Sequence, residues 1–517
     1  MQSETFPLDE TNCCSKAFID YISGDKKLKP FYRAFPSTDN FKSVIDSRNF
    51  SQEKRAVLTK ALSNQYNVTD LHEAVSKNLT SLSDEKTFTI TTGHQLNIFT
   101  GPLYFLYKII TVINTCKELK KDYPEYHFVP VYWMASEDHD FEEISYFHFE
   151  GKKITWQTDQ KGAVGKFDPS ALKEIADKLP KGAAFFKDAY DQATLADAVR
   201  SYVNYLFEDE GLIVIDADDP DLKQSLIPVI EDDLFHNIPE KLVNDTSAKL
   251  EALDFKCQVN PREINFFYLK GNVRERIEKS ENGFEVVDTE IRFSESEMKD
   301  LIKTHPEQFS PNVILRPLYQ EMILPNLAYV GGPSELIYWL QLKSVFEHFD
   351  VSFPLLMPRN FALVCSKTDQ AKWEKTGLPK SNLFLESEDS FAKWVSSNSS
   401  NHISYSDELE KLEQLEKEMK AKAEKVDPTL LQHVEAIHTT FKNKLDNAEK
   451  KLLRAEKKKH EDKKAQIAAV KESLFPGGTL QERKVNFLNF YLKDPQFIQN
   501  LKDVFDPFNF EMYLLLD

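Results

Sequence analysis

The sequence predicts an α/β protein with a parallel-sheet core, two insertions into that core and an antiparallel coiled-coil hairpin. Apolar strand-like runs alternate with helical patterns between residues 87 and 368, which is typical of parallel βαβ units. Two stretches between the predicted strands break this alternation and are interpreted as insertions. Residues 405–473 then repeat apolar side chains every three or four positions, which indicates paired helices.

The first predicted unit of the core is a strand, a glycine-containing loop and a helix. The β-type run 87–92 stops at Gly93, and an amphipathic helix follows at 102–121. Pro102 suits the first turn of that helix, where its missing N–H removes no hydrogen bond. The later strands of the core are predicted at 127–135, 211–217, 327–330 and 353–357.

The pattern divides the chain into consecutive segments. They are 1–145, the N-terminal helices and first part of the core; 146–205, the first insertion; 206–254, core; 255–310, a second α/β insertion with candidate strands at 266–268 and 283–287; 311–368, core; 369–404, a connector; 405–473, the coiled-coil hairpin; and 474–517, a C-terminal segment that packs on the core.

The coiled-coil region is predicted to be two arms that meet at a turn around Asp427-Pro428. The apolar positions of the two arms are Leu409, Leu412, Leu415, Met419, Ala423 and Val426 in the first, and Val434, Ile437, Phe441, Leu445, Ala448, Leu452 and Ala455 in the second, longer arm. Such a seam usually needs a partner. The unequal arms therefore predict dimerisation or docking onto another domain, with a charged solitary helix as the alternative.

Composition limits the classes of function. The 517 residues suffice for two to four domains, and the net charge of -18 disfavours general binding to nucleic acid or to anionic membranes. The N-terminal residues lack a signal-peptide pattern, and no run approaches the ~18 apolar residues of a membrane span. The five scattered cysteines favour reduced thiols in a cytoplasm over a disulfide framework.

The loop after the first strand has features of an anion site. Gly93 and Gly101 allow tight turns and close approach of a ligand to the backbone. The helix that follows offers N–H groups and a partial positive charge to an anion. The spacing is neither a Walker A motif nor a GxGxxG fingerprint, so an ordinary βα turn remains the alternative. His94 is the imidazole candidate of this loop.

An acidic cluster follows the second strand. Five carboxylates and one imidazole lie within residues 137–143, at the strand end where parallel sheets bind ligands. Crowded carboxylates raise one another's pKa, which suits a general base. They could equally hold an amine or Mg²⁺, or form a solvated acidic loop. Position after an apolar strand favours function, with His139 and Asp140 as the leading candidates.

Two arginines and one lysine are candidate anion ligands. Arg316 lies beside a proline and apolar residues, and Arg359 follows a strand end directly. Either guanidinium could clamp a carboxylate or a phosphate, or form a structural ion pair. Lys108 lies two turns inside the first helix and is open to a structural or solvated role.

A second strand–glycine–helix junction occurs at Gly331-Gly332. Ser334 is predicted to cap the helix that follows, with Glu335 in its first turn. The two glycine junctions could therefore meet at one crevice, although a plain βα turn explains this pattern as well.

These clusters, in this order, resemble the BshC family of bacillithiol synthesis, whose members are described as cysteine-adding enzymes. The resemblance spans the chain and is carried by residues 92–104, 133–143, Arg316-Pro317, 331–335, Pro358-Arg359 and 474–483. It implies a Rossmann-like parallel-sheet core with two connecting insertions, and a coiled-coil arm used in homodimerisation. It also implies the last step of bacillithiol synthesis, in which the carboxyl of cysteine is joined to the amine of glucosaminyl-malate. ATP is the expected activator of the carboxyl, and Mg²⁺ is a possible companion.

With that resemblance, roles can be predicted for the clustered residues. The catalytic candidates are His139, Asp140, Asp138 and His94, and the candidates for binding substrate or nucleotide are Gly93, Gln95, Asn97, Thr100, Gly101, Tyr104, Lys108, Arg316, Gly331, Gly332, Ser334, Glu335 and Arg359. His94, Gln95 and Asn97 would donate hydrogen bonds to an anionic group. The acidic loop would orient the amine and take its proton, the arginines would neutralise carboxylate or phosphate, and Glu335 would bind an ammonium group.

One departure from the family bears on His94. Glutamine commonly occupies this place in the family, so the imidazole would act as a hydrogen-bond donor and not as an obligatory acid or base. Gly93-His94 also resembles the phosphate-binding signature of class I nucleotide-dependent ligases. Two alternatives from other functional classes stay open: a nucleotide-independent acyl transferase or hydrolase that uses the acidic cluster, and a non-enzymatic coiled-coil scaffold.

Overall fold

A computed structural model describes residues 1–66, 71–399 and 404–516 of the chain. Residues 400–403 of the predicted connector and residue 517 of the C-terminal segment lie outside the described residues. Within the described part, no helix has the length and apolar character needed to cross a membrane.

The strands lie in several sheets and are numbered along the chain. They are β1 Gln2–Phe6, β2 Thr87–His94, β3 His127–Met134, β4 Tyr146–Phe149, β5 Lys152–Thr155, β6 Ile213–Asp216, β7 Phe266–Lys270, β8 Val273–Ser280, β9 Gly283–Val286, β10 Arg292–Phe293, β11 Phe309–Pro311, β12 Asn326–Gly331, β13 Leu355–Pro358, β14 Phe361–Cys365 and β15 Met512–Leu516.

The α-helices cover the sheets and form the extended arm. They are α1 Lys16–Ile22, α2 Thr38–Ser47, α3 Gln52–Gln65, α4 Glu73–Ser81, α5 Tyr104–Asp122, α6 Phe141–Ile144, α7 Lys173–Ala176, α8 Phe185–Ala189, α9 Leu195–Phe207, α10 Pro220–Lys223, α11 Ile227–Glu231, α12 Ile238–Glu251, α13 Glu295–Thr304, α14 Arg316–Ile323, α15 Pro333–Trp339, α16 Lys343–His348, α17 Lys367–Glu374, α18 Ser387–Asn398, α19 Ser406–Val426, α20 Leu431–Lys457, α21 Glu461–Leu474, α22 Leu488–Tyr491 and α23 Phe497–Val504.

The core is a parallel sheet with strand order β13-β12-β2-β3-β6. Helix α5 connects β2 to β3, as the sequence predicts, and helices cover both faces, which explains why the strands are buried along nearly their whole length. The chain runs from β2 through β3 to β6 on one side, then returns to β12 and β13 on the other. This is the order of a Rossmann-like fold, and it confirms the predicted fold class.

Buried threonines in β2 are satisfied by one asparagine of the neighbouring strand. The hydroxyls of Thr89 and Thr91 donate to Oδ1 of Asn326 at 3.1 and 2.8 Å, and Nδ2 of Asn326 donates to Glu321 at 2.6 Å. The register of β2 against β12 shifts at Asn326. The polar side chains in the middle of the core therefore stay hydrogen-bonded, as burial requires.

The two insertions have their own strands. The first contains the β4–β5 hairpin and helices α7 to α9. The second is an antiparallel sheet of order β10-β9-β8-β7-β11, covered by α13. At its base, the buried carboxylate of Asp233 accepts hydrogen bonds from the N–H and the Nδ2 of Asn265. This contact fixes the start of the second insertion against the core.

A third sheet, of order β1-β15-β14, was not foreseen in the sequence pattern. The N-terminal strand β1 pairs antiparallel with β15, and β14 pairs parallel with it. The start of segment 1–145 is predicted to be mainly helical, and β1 is an exception to that prediction. The strand is short, polar and mostly exposed, so its own sequence carries no strand pattern. The C-terminal apolar run packs on the core as predicted, as β15.

The free edge of β14 is covered by side chains of the C-terminal segment. Gln481 accepts the N–H of Val364 at 2.8 Å and donates to its carbonyl at 3.1 Å. Glu482 is fully buried; one of its oxygens accepts the N–H of Ala362 at 3.2 Å and the other pairs with buried Arg359. The segment thus satisfies an edge that would otherwise carry unpaired backbone groups.

The coiled-coil prediction is confirmed. α19 and α20 pack antiparallel, with an ion pair between Lys420 and Glu435 at 2.8 Å and with Nδ1 of His438 3.4 Å from Glu416. α20 is the longer arm. Several of the predicted seam residues stay exposed, because each arm covers only one side of the other; they are Leu415, Val426, Ile437, Phe441 and Leu452.

The ion pair between Arg359 and Glu482 gives a test of this packing. Glu482→Ala should lower the free energy of unfolding by about 3–5 kcal/mol, because it leaves the Arg359 guanidinium buried without a counter-charge. Urea denaturation followed by tryptophan fluorescence measures the change. The control Glu424→Ala, on an exposed face of α19, should shift it by less than about 0.5 kcal/mol. Equal effects in both variants would contradict the assigned role.

Candidate active site

The two glycine junctions meet at the carboxyl ends of neighbouring strands. β2 ends at Gly93-His94, and β12 ends beside it at Gly331. The hydroxyl of Thr92 donates across this boundary to the carbonyl of Val330 at 2.8 Å. The order of the sheet reverses here, since β2 leads to β3 on one side and β12 leads to β13 on the other. Open α/β sheets bind their ligands at such a switch point.

An arginine lies beside each glycine junction. A Cβ atom added to Gly93 would lie 3.3 Å from the hydroxyl oxygen of Tyr329 and 3.6 Å from Nη1 of Arg316. A Cβ atom added to Gly332 would lie 3.9 Å from Nε of Arg359. The absence of a side chain at Gly93 therefore lets the strand end approach the guanidinium closely.

Lys108 joins the two junctions. Its Nζ donates to the carbonyl of Gly93 at 2.9 Å and forms a 2.7 Å ion pair with Oε1 of Glu335. The other oxygen of Glu335 accepts the N–H of Gly332 at 2.8 Å. Burial lowers the pKa of Lys108, and the Glu335 carboxylate opposes that shift. Lys108 and Glu335 thus hold the crevice together, with both carboxylate oxygens engaged.

The helix starts at this crevice differ from the sequence-based prediction. Ser334 is predicted as an N-cap, but α15 begins at Pro333 with Gly332 as its cap, so Ser334 is the second helical residue. At the start of α5, the N–H of Leu103 donates to the carbonyl of Val485 at 2.9 Å. The backbone N–H groups of Gly332 and Leu103, which a free helix start would offer to an anion, are therefore bound by acceptors of the chain itself.

Several buried side-chain atoms at the crevice have no hydrogen-bond partner among the described residues. These atoms are His94 Nε2, Arg316 Nη2 and Arg359 Nε. Buried polar groups in native proteins are nearly always hydrogen-bonded, and an unsatisfied one costs about 1–3 kcal/mol. The crevice therefore offers unpartnered side-chain atoms to a polar, anionic ligand.

His94 is a neutral imidazole in this setting. It is 8% exposed and stacks on Tyr104, with ring centroids 5.1 Å apart and an angle of 12° between the planes. Burial lowers the pKa of His94 well below its ordinary value, and the charges of Lys108 and Arg359 add to the shift. Burial also raises the pKa of Tyr104 to about 12. Neutral His94 can offer one N–H donor, the role expected where glutamine can replace it.

The loop after β2 has a left-handed backbone. Phe99, Thr100 and Gly101 have φ angles of 51°, 69° and 62°. Asn486 Nδ2 donates to the carbonyls of Phe99 and Gly101 at 2.7 and 2.6 Å and thereby holds this conformation. A Cβ atom on Gly101 would lie 2.6 Å from Cβ of Asn97, so glycine is required there.

Gln95 connects this loop to the acidic loop. Its Nε2 donates to Asp138 at 3.1 Å and to Glu143 at 2.6 Å. The other oxygen of Asp138 accepts the N–H of His139 at 2.8 Å and that of Asp140 at 3.3 Å. Asp138 therefore shapes the loop, while the side chains of His139 and Asp140 are exposed.

The carboxylates of the acidic cluster do not all converge. Glu137 forms a 2.9 Å ion pair with fully buried Lys223, and burial raises the pKa of Glu137. Ser136, just before it, donates to Asp216 at the end of β6 at 2.5 Å. Glu137 is thus structural, and Asp138 and Glu143 are engaged by Gln95. The exposed side chains of the loop that remain candidates for chemistry include His139 and Asp140.

A cavity of about 500 Å³ opens beside the acidic loop. It is lined by Asp138, His139 and Arg316, and by Arg262 and Arg274 of the second insertion. Arg274 contacts Nδ1 of His139 and lies 4.0 Å from Asp138. The sequence pattern missed Arg274, because it lies 135 residues from His139 and no local motif marks it.

Comparison with known proteins places this arrangement in one family. The model of "Bacillithiol biosynthesis BshC, N-terminal Rossmann-like domain" matches residues 1–360, and that of the "C-terminal coiled-coil domain" matches 362–516. The chain belongs to the BshC family. The boundary between the two family models falls at the end of the parallel sheet, just before β14.

Curated relatives match over nearly the whole chain. A protein of Flavobacterium psychrophilum is 42% identical, with 98% of this chain and 98% of that protein covered. A protein of Cytophaga hutchinsonii is 39% identical over 99% and 98% of the two chains, and one of Salinibacter ruber is 31% identical over 94% and 91%. All three are named "Putative cysteine ligase BshC".

The ionisation of His94 can be measured directly. Because its pKa lies well below the ordinary value, we expect its ring to stay neutral between about pH 6 and pH 8. Nitrogen–proton correlation spectra of histidine-labelled protein should show neutral-imidazole shifts for this ring throughout. The His94→Gln variant assigns the signal by its loss. A ring that titrates in this range and disappears in the variant would refute the buried, neutral state.

Proposed function

We propose that this protein is a ligase that joins the carboxyl group of L-cysteine to the amine of glucosaminyl-malate through an amide bond, the last step of bacillithiol biosynthesis. The observation that carries this proposal is the pair of buried arginines, Arg316 and Arg359, beside the two glycine junctions of a Rossmann-like switch point. The names of the BshC relatives support cysteine as the substrate that is added.

Amide formation in water is uphill, so the cysteine carboxyl requires activation. We propose ATP as the co-substrate that supplies a phosphorus-bearing leaving group for that carboxyl. The unpartnered atoms of His94, Arg316 and Arg359 fit such an anion, since a neutral N–H donor and guanidinium groups all bind phosphate oxygens. Mg²⁺ is proposed as a companion of the phosphates. Within the described residues no group of three or more His, Cys, Asp or Glu side chains is placed to hold a metal ion, so no ligand is assigned to it.

The acidic loop is proposed to act on the amine. The amine nitrogen of glucosaminyl-malate attacks the activated cysteine carbonyl carbon, the C–N bond forms, the leaving group departs, and the amine proton passes to the protein. His139 and Asp138 line the cavity in which this amine would lie, and Asp140 follows them in the same loop. His139 is the proposed base: the Arg274 guanidinium contacts its Nδ1, so this nitrogen carries the lone pair, and Arg274 must turn to a substrate carboxylate before Nδ1 can take the amine proton.

The arginines of the same cavity fit the malate half of that substrate. Arg262 and Arg274 line it beside the acidic loop, and malate carries two carboxylates. Glu335 is proposed as a positioning residue rather than an ammonium ligand, because Lys108 and Gly332 already engage its oxygens. Catalysis then comes mainly from positioning and charge neutralisation.

A cytoplasmic location is proposed, because the five cysteines are free thiols. We also propose that the protein forms a homodimer through the coiled-coil hairpin. The arms leave Leu415, Ile437, Phe441 and Leu452 between 37% and 51% exposed, and Val426 at 82%. Apolar side chains repeated along one helix pair need a partner surface, and a second copy of the hairpin supplies one.

The activity is tested by mass-spectrometric detection of bacillithiol. Pure protein is incubated with cysteine, glucosaminyl-malate and Mg²⁺, with and without ATP. We expect product only with ATP, together with AMP or ADP. His139→Ala should reduce the product at least a hundredfold, because a positioned general base contributes roughly 10²–10⁴-fold.

The control for that assay is His305→Ala, which removes an exposed histidine of the second insertion and should retain full activity. Circular dichroism confirms that both variants are folded. Full activity of folded His139→Ala would refute its role as base. Product that forms equally well without ATP would refute nucleotide activation and favour an acyl transferase.

The dimer is tested on the second arm of the hairpin. Phe441→Glu should convert the protein to a monomer, because a charge in the apolar interface loses its hydration. Light scattering coupled to size-exclusion chromatography gives the mass. Asn443→Glu, which adds the same charge two residues away, should stay dimeric. A variant with both Ile437→Glu and Phe441→Glu that remains a dimer would show that another surface makes the contact.

A further inference from the structure

A second cavity lies on the other side of the glycine loop. It has a volume of about 450 Å³ and is bounded by Gln95, Asn97 and Tyr104 of that loop and the start of α5. The opposite wall comes from the C-terminal segment, which contributes Thr479, Arg483 and Lys484. We call it the C-terminal cavity. It is built from both regions that the family models separate.

The cations of this cavity are not neutralised by ion pairs. The Arg483 side chain makes no hydrogen bond or ion pair with any residue that the structure describes. Nζ of Lys484 has only a 3.3 Å hydrogen bond to the carbonyl of Pro476. The chain has a net charge of -18, but this cavity wall carries two adjacent cations that form no ion pair within the described residues. The wall is therefore locally positive in an acidic protein.

The position of these cations is fixed by their neighbours. Gln481 and Glu482, directly before Arg483, are buried and bound to the edge of β14. A Cβ atom on Gly477, whose φ is 64°, would lie 3.1 Å from Nζ of Lys484. The backbone that carries these cations is thus held against the core, and the exposed Arg483 side chain and the half-buried Lys484 side chain both line the cavity.

The cavity has a single carboxylate-bearing wall residue, Glu143, and that carboxylate is already engaged by Gln95 at 2.6 Å. His148 also lines the cavity; burial lowers its pKa, and the charge of Lys484 adds to the shift. Asn97 carries a buried Oδ1 with no partner among the described residues, so its amide is incompletely satisfied. The charged side chains of the cavity without an ion-pair or side-chain hydrogen-bond partner in the described part of the chain are therefore the two cations, Arg483 and Lys484.

The C-terminal cavity is connected to the candidate active site through Tyr104. This residue lines the cavity and stacks on His94 with ring centroids 5.1 Å apart. The charges of Arg359 and Arg483 both oppose the rise in the pKa of Tyr104 that burial causes. A ligand in the cavity would thus lie next to the His94 side of the switch point.

We propose that the C-terminal cavity is an oxyanion subsite in which Arg483 and Lys484 bind a phosphate or carboxylate group of a substrate. This deepens the proposed ligase function and rests on it for the identity of the ligands. The subsite itself is independent of turnover, because its cations bind an anion whether or not amide formation follows.

Calorimetric titration of the full-length protein at low salt tests this subsite. The probes are inorganic pyrophosphate, ATP and glucosaminyl-malate. Arg483→Gln should weaken binding of at least one probe tenfold or more, and Arg483→Lys should restore most of it by restoring the charge. Arg454→Gln, an exposed arginine on α20, removes the same charge elsewhere and should change no affinity.

The pattern among the probes identifies the bound group. Loss of pyrophosphate and ATP affinity shows a phosphate subsite, and loss of glucosaminyl-malate affinity alone shows a carboxylate subsite. Unchanged binding of all three probes by a double Arg483→Gln, Lys484→Gln variant, or no binding of any probe by the natural protein, overturns the proposal. If the variants bind the probes more weakly but the natural protein makes no bacillithiol, the ligase function is refuted and the subsite stands. If the natural protein makes bacillithiol and the variants bind the probes as tightly as it does, the subsite is refuted and the ligase function stands.

Discussion

The ion pair between Lys108 and Glu335 is the contact on which the geometry of the crevice depends. Lys108 follows β2 and Glu335 follows β12, so the pair ties together the two strands between which the sheet reverses. Each partner also binds the backbone of a glycine junction, at Gly93 and at Gly332. These contacts hold the two junctions in place from within the protein. The site is therefore a cluster of cations arranged around an internal salt bridge.

The charge gathered at the candidate site is opposite in sign to the net charge of the chain. The protein is acidic, yet the ends of the parallel strands gather Arg316, Arg359 and Lys108, and the second insertion adds Arg274. Bringing these cations together requires counter-charges at chosen points, which Glu335 and Glu482 provide. An anionic ligand would add the remaining counter-charge, in a region where low solvent access strengthens every electrostatic contact.

The core could be predicted from the sequence because its signals are local. Strands buried on both faces are rich in apolar and β-branched residues, and the glycines at 93 and 331 mark where two of them end. The contacts that complete the site are not local. Arg359 meets Glu482 across 123 residues, and His139 meets Arg274 across 135. Neither partner has a pattern of its own. For Ser334 a local signal gave a wrong prediction. Serine is favoured at helix starts, but the cap of α15 is Gly332, whose N–H is bound by Glu335.

The pairing of β1 with β15 has a consequence for how this family can vary. The two family models meet at residue 361, but β1 belongs to the first and its partner strand to the second. A chimera assembled from two relatives at that junction would inherit the two strands from different parents. The hydrogen bonds between β1 and β15 would form in the chimera, because they join main-chain groups and do not depend on the identity of the side chains. The ion pair between Arg359 and Glu482 also crosses that junction, so a chimera would keep it only where one parent supplies the arginine and the other the acid. The two halves are therefore joined by a shared sheet and a shared ion pair, and neither is complete without the other.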